Sequence, residues 1–275
     1  MTVDAEVPGY APLLAAYHRA FAAELEAMVG SLPIREGDRV LEMACGDGAY
    51  TPWLARKAGA TGAVIGLDLS HGFLRIARDE ATRGGAAETT RFVAASIERI
   101  PFADGTFDVA WCAQSLFSLP DPVDAVRRMA RVVKPGGLVA VLEDDTLHQV
   151  LLPWPVDVEL AVRSAEWEAL RDGQERPRKF YVGRRLTRVF RDAGLVDLQI
   201  RTYATDRVAP LGDDERAFLG EYLAKLRERV APRLAPEIRD ALDRLADSQS
   251  PDNLLDWPDL AVTLIDHVIH GRKPG

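Results

Sequence analysis

The chain has 275 residues, 47% of them hydrophobic, a formal net charge of −8 and only two cysteines, Cys45 and Cys112. That composition excludes a disulfide-stapled fold or a cysteine-built zinc centre, and the acidic balance argues against a nucleic-acid partner. No apolar run reaches the roughly 18 residues of a membrane span and no basic-then-apolar leader is read, so the expected location is the cytoplasm.

Apolar residues at Leu13, Leu14, Tyr17, Phe21, Leu25 and Met28 predict a helix over 11–30, stopped by Gly30 and Pro33. Strands then alternate with helices. Strands are predicted at 39–43, 63–68, 91–95, 107–112 and 138–143, with helices at 52–58, 70–83 and 122–133. Ser70 caps the second of these helices, Asp121-Pro122 opens the third, and Lys134-Pro-Gly-Gly137 ends it. Leu138–Leu142 is apolar throughout, as a strand must be when helices cover both faces of a parallel sheet. Repeated βα units of this kind predict a doubly wound α/β domain.

After residue 146 the chain changes character. A Leu-Pro-Trp-Pro knot precedes a helix at 157–172, the basic and aromatic stretch Arg176–Tyr181 and a helix at 183–193 closed by Gly194. A strand at 196–203, helices near 213–230 and 235–246, and a last strand at 261–269 complete the pattern. We read one domain over 1–275. In it, 11–30 is a lid helix, 35–145 the cofactor-binding core, and 146–182 and 210–250 helical insertions forming a substrate lid.

Chemistry concentrates in Arg39-Val-Leu-Glu-Met-Ala-Cys-Gly-Asp-Gly-Ala-Tyr50, a strand running into a glycine-containing turn that carries Glu42 and Asp47. A second strand ends on Asp68, about 20 residues after the glycines, where α/β nucleotide sites place a ribose-binding acid. Together these predict a pocket for an adenosine-bearing cofactor. A nicotinamide site would want a third glycine where this chain has Thr51, and acidic walls would oppose a pyrophosphate. A cofactor with a cationic amino-acid end fits them better, which favours S-adenosyl-L-methionine (SAM).

Four segments in order, Val-Leu-Glu-Met-Ala-Cys-Gly-Asp-Gly, Val-Ile-Gly-Leu-Asp-Leu-Ser, Ile-Pro-Phe-Ala-Asp-Gly-Thr-Phe-Asp-Val and Val-Val-Lys-Pro-Gly-Gly, resemble the successive motifs of class I SAM-dependent methyltransferases. The likeness is greatest to the UbiE-like, type 11 small-molecule branch. It covers roughly 35–145, and His267–Pro274 is similar to the last strand of many members. It implies a Rossmann-like sheet of seven strands in order 3-2-1-4-5-7-6, the last antiparallel. It also implies that Glu42, Ala44, Gly46 and Gly48 line the methionine end of the cofactor, Asp68 takes both ribose hydroxyls and Leu69 packs on the adenine. Ser96 and Ile97 fall where the family often has an Asp and an apolar residue at the adenine, and Gln114 faces the methionine end. Ala44 stands for the family's first glycine and Ser96 for its Asp, two departures that weaken the expected hold on SAM.

Several of these residues also admit a structural role: Glu42 as an acceptor for the turn backbone, Cys45 as packing. Methyl transfer needs positioning and water exclusion more than a nucleophilic side chain, and a general base only for hydroxyl or carbon acceptors. His148, oriented by Asp145, is the predicted base, against a surface role. Glu143, Asp144 and Asp145 are read as a loop start and no metal is expected. Tyr10, Tyr17 and His18 either close over the cofactor or, for Tyr17, belong to the core. Trp154, Trp167, Phe180 and Tyr181 suit a planar acceptor or a core for the insertion. Arg176, Arg178 and Lys179 either meet an anionic substrate or form a solvated face. The expected activity is methyl transfer from SAM, releasing S-adenosyl-L-homocysteine, to O, N or C of a small organic acceptor, either a secondary metabolite or quinone-like. The expected assembly is a monomer or homodimer. The alternative is an enzyme of this fold that keeps SAM structurally while catalysing cyclisation or decarboxylation. A scaffold with a degraded pocket is disfavoured by Asp68, Gly46 and Gly48.

Overall fold

The computed structural model describes residues 6–172 and 181–275. Its strands among these residues are β1 (Arg39–Met43), β2 (Ala63–Asp68), β3 (Thr90–Ala94), β4 (Phe107–Ala113), β5 (Val133–Glu143), β6 (Val150–Leu151), β7 (Val196–Val208) and β8 (Ala261–Arg272). They form one sheet. Strands β3, β2, β1, β4 and β5 run parallel in that order, and β8 lies antiparallel between β5 and β7. This is the expected order with the last strand reversed. The addition is β6, whose two residues pair with Leu264 and Thr263 of β8.

The helices are α1 (Ala11–Ala20), α2 (Ala22–Gly30), α3 (Thr51–Ala58), α4 (His71–Arg83), α5 (Pro122–Val132), α6 (Val156–Arg171), α7 (Leu186–Asp192), α8 (Asp213–Val230) and α9 (Pro236–Ala246). Strand alternation sorts the side chains into two cores. On one face Val40, Trp111, Leu142 and Val268 pack with Tyr17, Phe21, Leu54, Val162 and Leu219. On the other, Leu41, Met43, Cys112 and Ile269 pack with Val126, Met129, Leu186 and Phe190. Arg176, Arg178, Lys179 and Phe180 lie outside the described residues.

Two predicted boundaries are corrected. The helix expected over 11–30 is broken at Phe21, whose backbone sits at φ −122° and ψ 19°. Arg207 of β7 explains the break: its guanidinium donates to the Ala20 carbonyl at 2.9 Å and lies 4.8 Å from the Phe21 ring centre. Helix α5 ends just before Lys134-Pro-Gly-Gly137, as expected, but these residues already belong to β5, which was expected to begin only at 138. Its register against β4 shifts between Phe107 and Val109, and Gly136 there has φ +74°. A side chain on Gly137 would come within 2.7 Å of the Asp108 carbonyl, so this crossing needs a glycine.

The glycine turn after β1 is held by packing as well as by conformation. Gly48 has φ +79°, and a Cβ there would lie 2.7 Å from the Cβ of Ala77 in α4. Gly48→Ala is therefore expected to destabilise the protein by about 2–3 kcal/mol through overpacking and strain. Thermal denaturation checks this; an unchanged melting temperature would mean that α4 gives way freely.

Candidate active site

The C-terminal ends of β1, β2, β3 and β4 form one rim, and most of the predicted cofactor residues meet there. The turn after β1 has Ala44, Gly46 and Gly48 at φ +51°, +53° and +79°. Its tip is fastened to the next strand, because the Asp68 carboxylate accepts from Gly46 N at 2.9 Å and from Ser70 N at 2.8 Å. Cys45 N donates to the Leu67 carbonyl at 3.0 Å. Asp68 thus has each oxygen held by one backbone N–H, and each keeps a lone pair for a further donor. Ser70, next in the chain, caps α4 by accepting from Phe73 N at 3.1 Å.

The other rim residues follow. Ala95 N donates to the Asp68 carbonyl at 2.9 Å, which brings Ser96 and buried Ile97 beside β2. The Ser96 hydroxyl accepts from Glu98 N at 3.1 Å. Leu69, partly buried, links Asp68 to the α4 cap. Gln114 at the end of β4 has φ +46° and donates through its backbone N–H to the Leu142 carbonyl at 2.8 Å. Ala44 shows why the position favours glycine: the left-handed conformation costs an ordinary residue on the order of 1–2 kcal/mol. Gly48 faces α4 rather than open space, so its function is helix packing; a Cβ on Gly46 would instead touch only Leu14 of α1, at 3.7 Å.

Helix α1 roofs this turn. His18 Nδ1 is 3.0 Å from Asp47 Oδ2, and the His18 ring meets Tyr50 edge-on at 5.2 Å. Burial alone would raise the Asp47 carboxyl, but its hydrogen bonds, led by the one from His18, bring it below the usual range. Glu42 is buried, projects onto the same face as Trp111, and accepts from the Thr51 hydroxyl at 2.5 Å. Burial, reinforced by Asp47 and Asp68, pushes its carboxyl up to about 8 despite that hydrogen bond. Tyr17 is buried deeper than a lid residue. It stacks against Phe21 and Phe218, and its hydroxyl lies 3.2 and 3.3 Å from the two Asp266 carboxylate oxygens.

The residues expected to work as base and orienter follow the end of β5, the next strand along the sheet. Asp145 forms a close ion pair with Arg184. His148 Nδ1 is 3.8 Å from Asp145, beyond hydrogen-bond reach, and sits 3.0 Å from the Arg184 guanidinium. A guanidinium can only donate, so His148 accepts through Nδ1 and carries its hydrogen on Nε2. Asp145 thus pairs with Arg184, which stands between it and an orienting role toward His148. Glu143 lies on the opposite face, where it accepts from Leu116 N at 2.8 Å and fastens the turn after β4. Among the described residues no three His, Cys, Asp or Glu side chains are arranged to hold a metal ion.

Sequence reasoning passed over Tyr50, Asp266 and Arg184. Asp266 left a signal: it shares its strand face with Val262, Leu264 and Val268, all buried, so an acid there had to be an inward one. Buried and without partners near the roofed turn are His18 Nε2, Tyr50 Oη and Trp111 Nε1. Buried polar atoms are normally satisfied, so this set marks a place shaped for ligand groups. Backbone clearance at Gly46, acceptor capacity on Asp68, acidic walls and these orphaned atoms all fit a nucleoside with a zwitterionic tail.

The buried acids also set a pH dependence. A carboxyl whose native pKa is raised holds its proton more tightly when folded, so stability falls as pH rises from the unfolded to the folded value. For Glu42 that window runs from 4.5 to about 8, and for Asp266, raised by burial, from 3.8 to about 7. The lowered carboxyls Asp47, Glu24 and Asp108 act in the opposite sense at or below their ordinary values of 3.8 to 4.5, and His267 and His270, lowered by burial, offset part of the loss below 6.5. The ligand-free protein is therefore expected to lose on the order of several kcal/mol of unfolding free energy between pH 5 and 8. Glu42→Gln should flatten the profile. Denaturant titrations at several pH values check this, and stability that rose across the window would contradict it.

Residues 41–141 match the family model described as "Methyltransferase domain". The chain is 37% identical over 118 residues to the methyltransferase GfsG of Streptomyces halstedii, covering 43% of this chain and 42% of that protein. It is 39% identical over 122 residues to the ubiquinone/menaquinone biosynthesis C-methyltransferase UbiE of Idiomarina loihiensis, covering 42% and 49%. These matches thus span less than half the length of either relative. In structure it resembles the YcgJ protein of Bacillus subtilis with a TM-score of 0.60 at 20% identity, over 92% of this chain and 99% of that one. Residues 41–141 thus resemble a methyltransferase domain, and the strand order and overall fold agree with that structural neighbour.

Proposed function

We propose that the protein transfers a methyl group from SAM to a small organic acceptor. The observation that carries this reading is the Asp68 carboxylate, held by Gly46 N and Ser70 N at the junction of β1, β2 and the glycine turn with acceptor capacity to spare. Asp68 would take the ribose hydroxyls in the bidentate manner suited to a carboxylate. Leu69 and Ile97 would enclose the adenine, with Ser96 as a neutral polar neighbour. Glu42, Ala44, Gly46 and Gln114 would surround the methionine end, with Gly48 as the packing residue that lets the turn close. Bound there, SAM would supply a methyl carbon already activated by its sulfonium.

The chain's own contribution is positioning and exclusion of water. Helices α1, α6, α8 and α9 would cover the acceptor as a lid, within a single domain. The acceptor we propose is quinone-like or a secondary metabolite; the name of the relative UbiE, for C-methylation in ubiquinone/menaquinone biosynthesis, supports the first. No described helix is long and apolar enough to cross a membrane. A cytoplasmic protein, monomeric or homodimeric and without a nucleic-acid partner, is the setting we propose. Asp145 pairs with Arg184 rather than with His148, so we propose no base role for His148.

Titration calorimetry with SAM and S-adenosylhomocysteine tests the cofactor assignment. Asp68→Ala is expected to weaken binding by about 1.5–3 kcal/mol, the range for hydrogen bonds to a charged group. A change of a few tenths would remove Asp68 from the site. Stoichiometric release of S-adenosylhomocysteine with methylated product tests the reaction; turnover without it would point to cyclisation or decarboxylation instead.

A further inference from the structure

Asp144 and Asp266 face each other across the β5–β8 ladder. The last registered pair there is Glu143 with His267, and the next antiparallel positions are these two aspartates. Alternation turns both side chains toward the face that holds Leu142, Val268 and Trp111. Directly opposed side chains on one face have Cβ atoms about 4.5–5.5 Å apart, and like charges there repel. Both residues are buried, at 6% and 2% exposure. Among the described residues neither makes an ion pair. Asp266 receives only the Tyr17 hydroxyl, and no described side chain donates to the Asp144 carboxylate.

Two opposed buried carboxyls with no counter-ion among the described residues are costly unless something positive joins them. The surroundings show what kind of group that is. Tyr17 borders the pair, and the Tyr50 ring lies 5.8 Å from Trp111 on the same face. Tyr50 Oη and Trp111 Nε1 are buried there without partners. Aromatic faces beside paired carboxylates suit an ammonium group, which combines charge pairing, hydrogen-bond donation and attraction to the rings.

We propose that Asp144 and Asp266 together form an acceptor subsite for an amine, and that the methyl acceptor is an aryl-alkyl amine or a molecule bearing one. The inference rests on the methyltransferase reading and adds to it the class of acceptor. The ammonium nitrogen sits between the two carboxylates with Tyr17 holding Asp266 in place, and the carbon skeleton lies against Tyr50 and Trp111. Phe218, stacked at 5.5 Å on Tyr17, backs that wall. Helix α1 carries Tyr17 and must yield to admit the amine.

The test compares charged and neutral probes of one shape on the whole protein saturated with S-adenosylhomocysteine. Phenethylamine, tyramine and tryptamine are titrated at pH 8 beside their alcohol isosteres 2-phenylethanol, tyrosol and tryptophol. At least one amine is expected to bind about tenfold or more tightly than its alcohol, as hydrogen bonds to charged groups imply. Asp144→Asn and Asp266→Asn should each abolish that preference while leaving S-adenosylhomocysteine binding unchanged. Both should fold, since each relieves the repulsion, and their melting temperatures at pH 8 report it. No preference for any amine over its alcohol, or a preference that survives both substitutions, would overturn the proposal. Failure to bind S-adenosylhomocysteine would instead sink the methyltransferase reading, and the amine titrations repeated without it would still judge the subsite.

Discussion

Everything at the rim of this sheet depends on how the glycine turn is fastened. A turn with three left-handed residues cannot hold its shape by local preference alone. Asp68 closes it from the neighbouring strand through the amides of Gly46 and Ser70, and in doing so ties β1, β2 and α4 together. Ser70 passes the constraint on by capping α4, and Ala77 of that helix leaves only enough room for the bare backbone at Gly48. One carboxylate therefore sets the spacing of the whole crevice.

The second theme is concentrated negative charge. Glu42, Asp47, Asp68, Asp144 and Asp266 all lie near the rim, and most are desolvated. Among the described residues, Asp47 alone of these five has a cation-forming neighbour, His18, whose hydrogen bond helps keep its carboxyl low. The others are raised by burial. Such an arrangement weakens the fold and makes sense as a site awaiting positive groups, since strongly perturbed acids cluster where ligands bind. By contrast, buried Glu166 in α6 receives Arg163 and Arg229, a pairing that completes itself and stabilises the covering helices.

The positions of the parallel strands were legible because each is a short apolar run bounded by turn residues, and β1 and β2 match their predicted limits. The asymmetric errors are instructive. Residues 11–30 carry one helical pattern from end to end, and nothing local marks Phe21; the break comes from Arg207, far along the chain. Lys-Pro-Gly-Gly does follow the end of a helix, yet β5 begins before it, because Val133 already pairs with Phe107 of β4. At the site, Asp68 and the glycines were readable because their spacing reflects a local turn. The contact of His148 with Arg184 was not readable, because Arg184 approaches from another element.

What the amino-acid order determined alone is the doubly wound core and its acidic turn, because period, capping and glycine placement act over a few residues. Only the folded chain decided which acids share a face. Asp144 and Asp266 are brought opposite one another by the reversed strand β8, a contact between residues distant in sequence that no short-range pattern encodes. Tyr17, left between lid and core by its sequence, is a buried donor because α1 is clamped over the sheet.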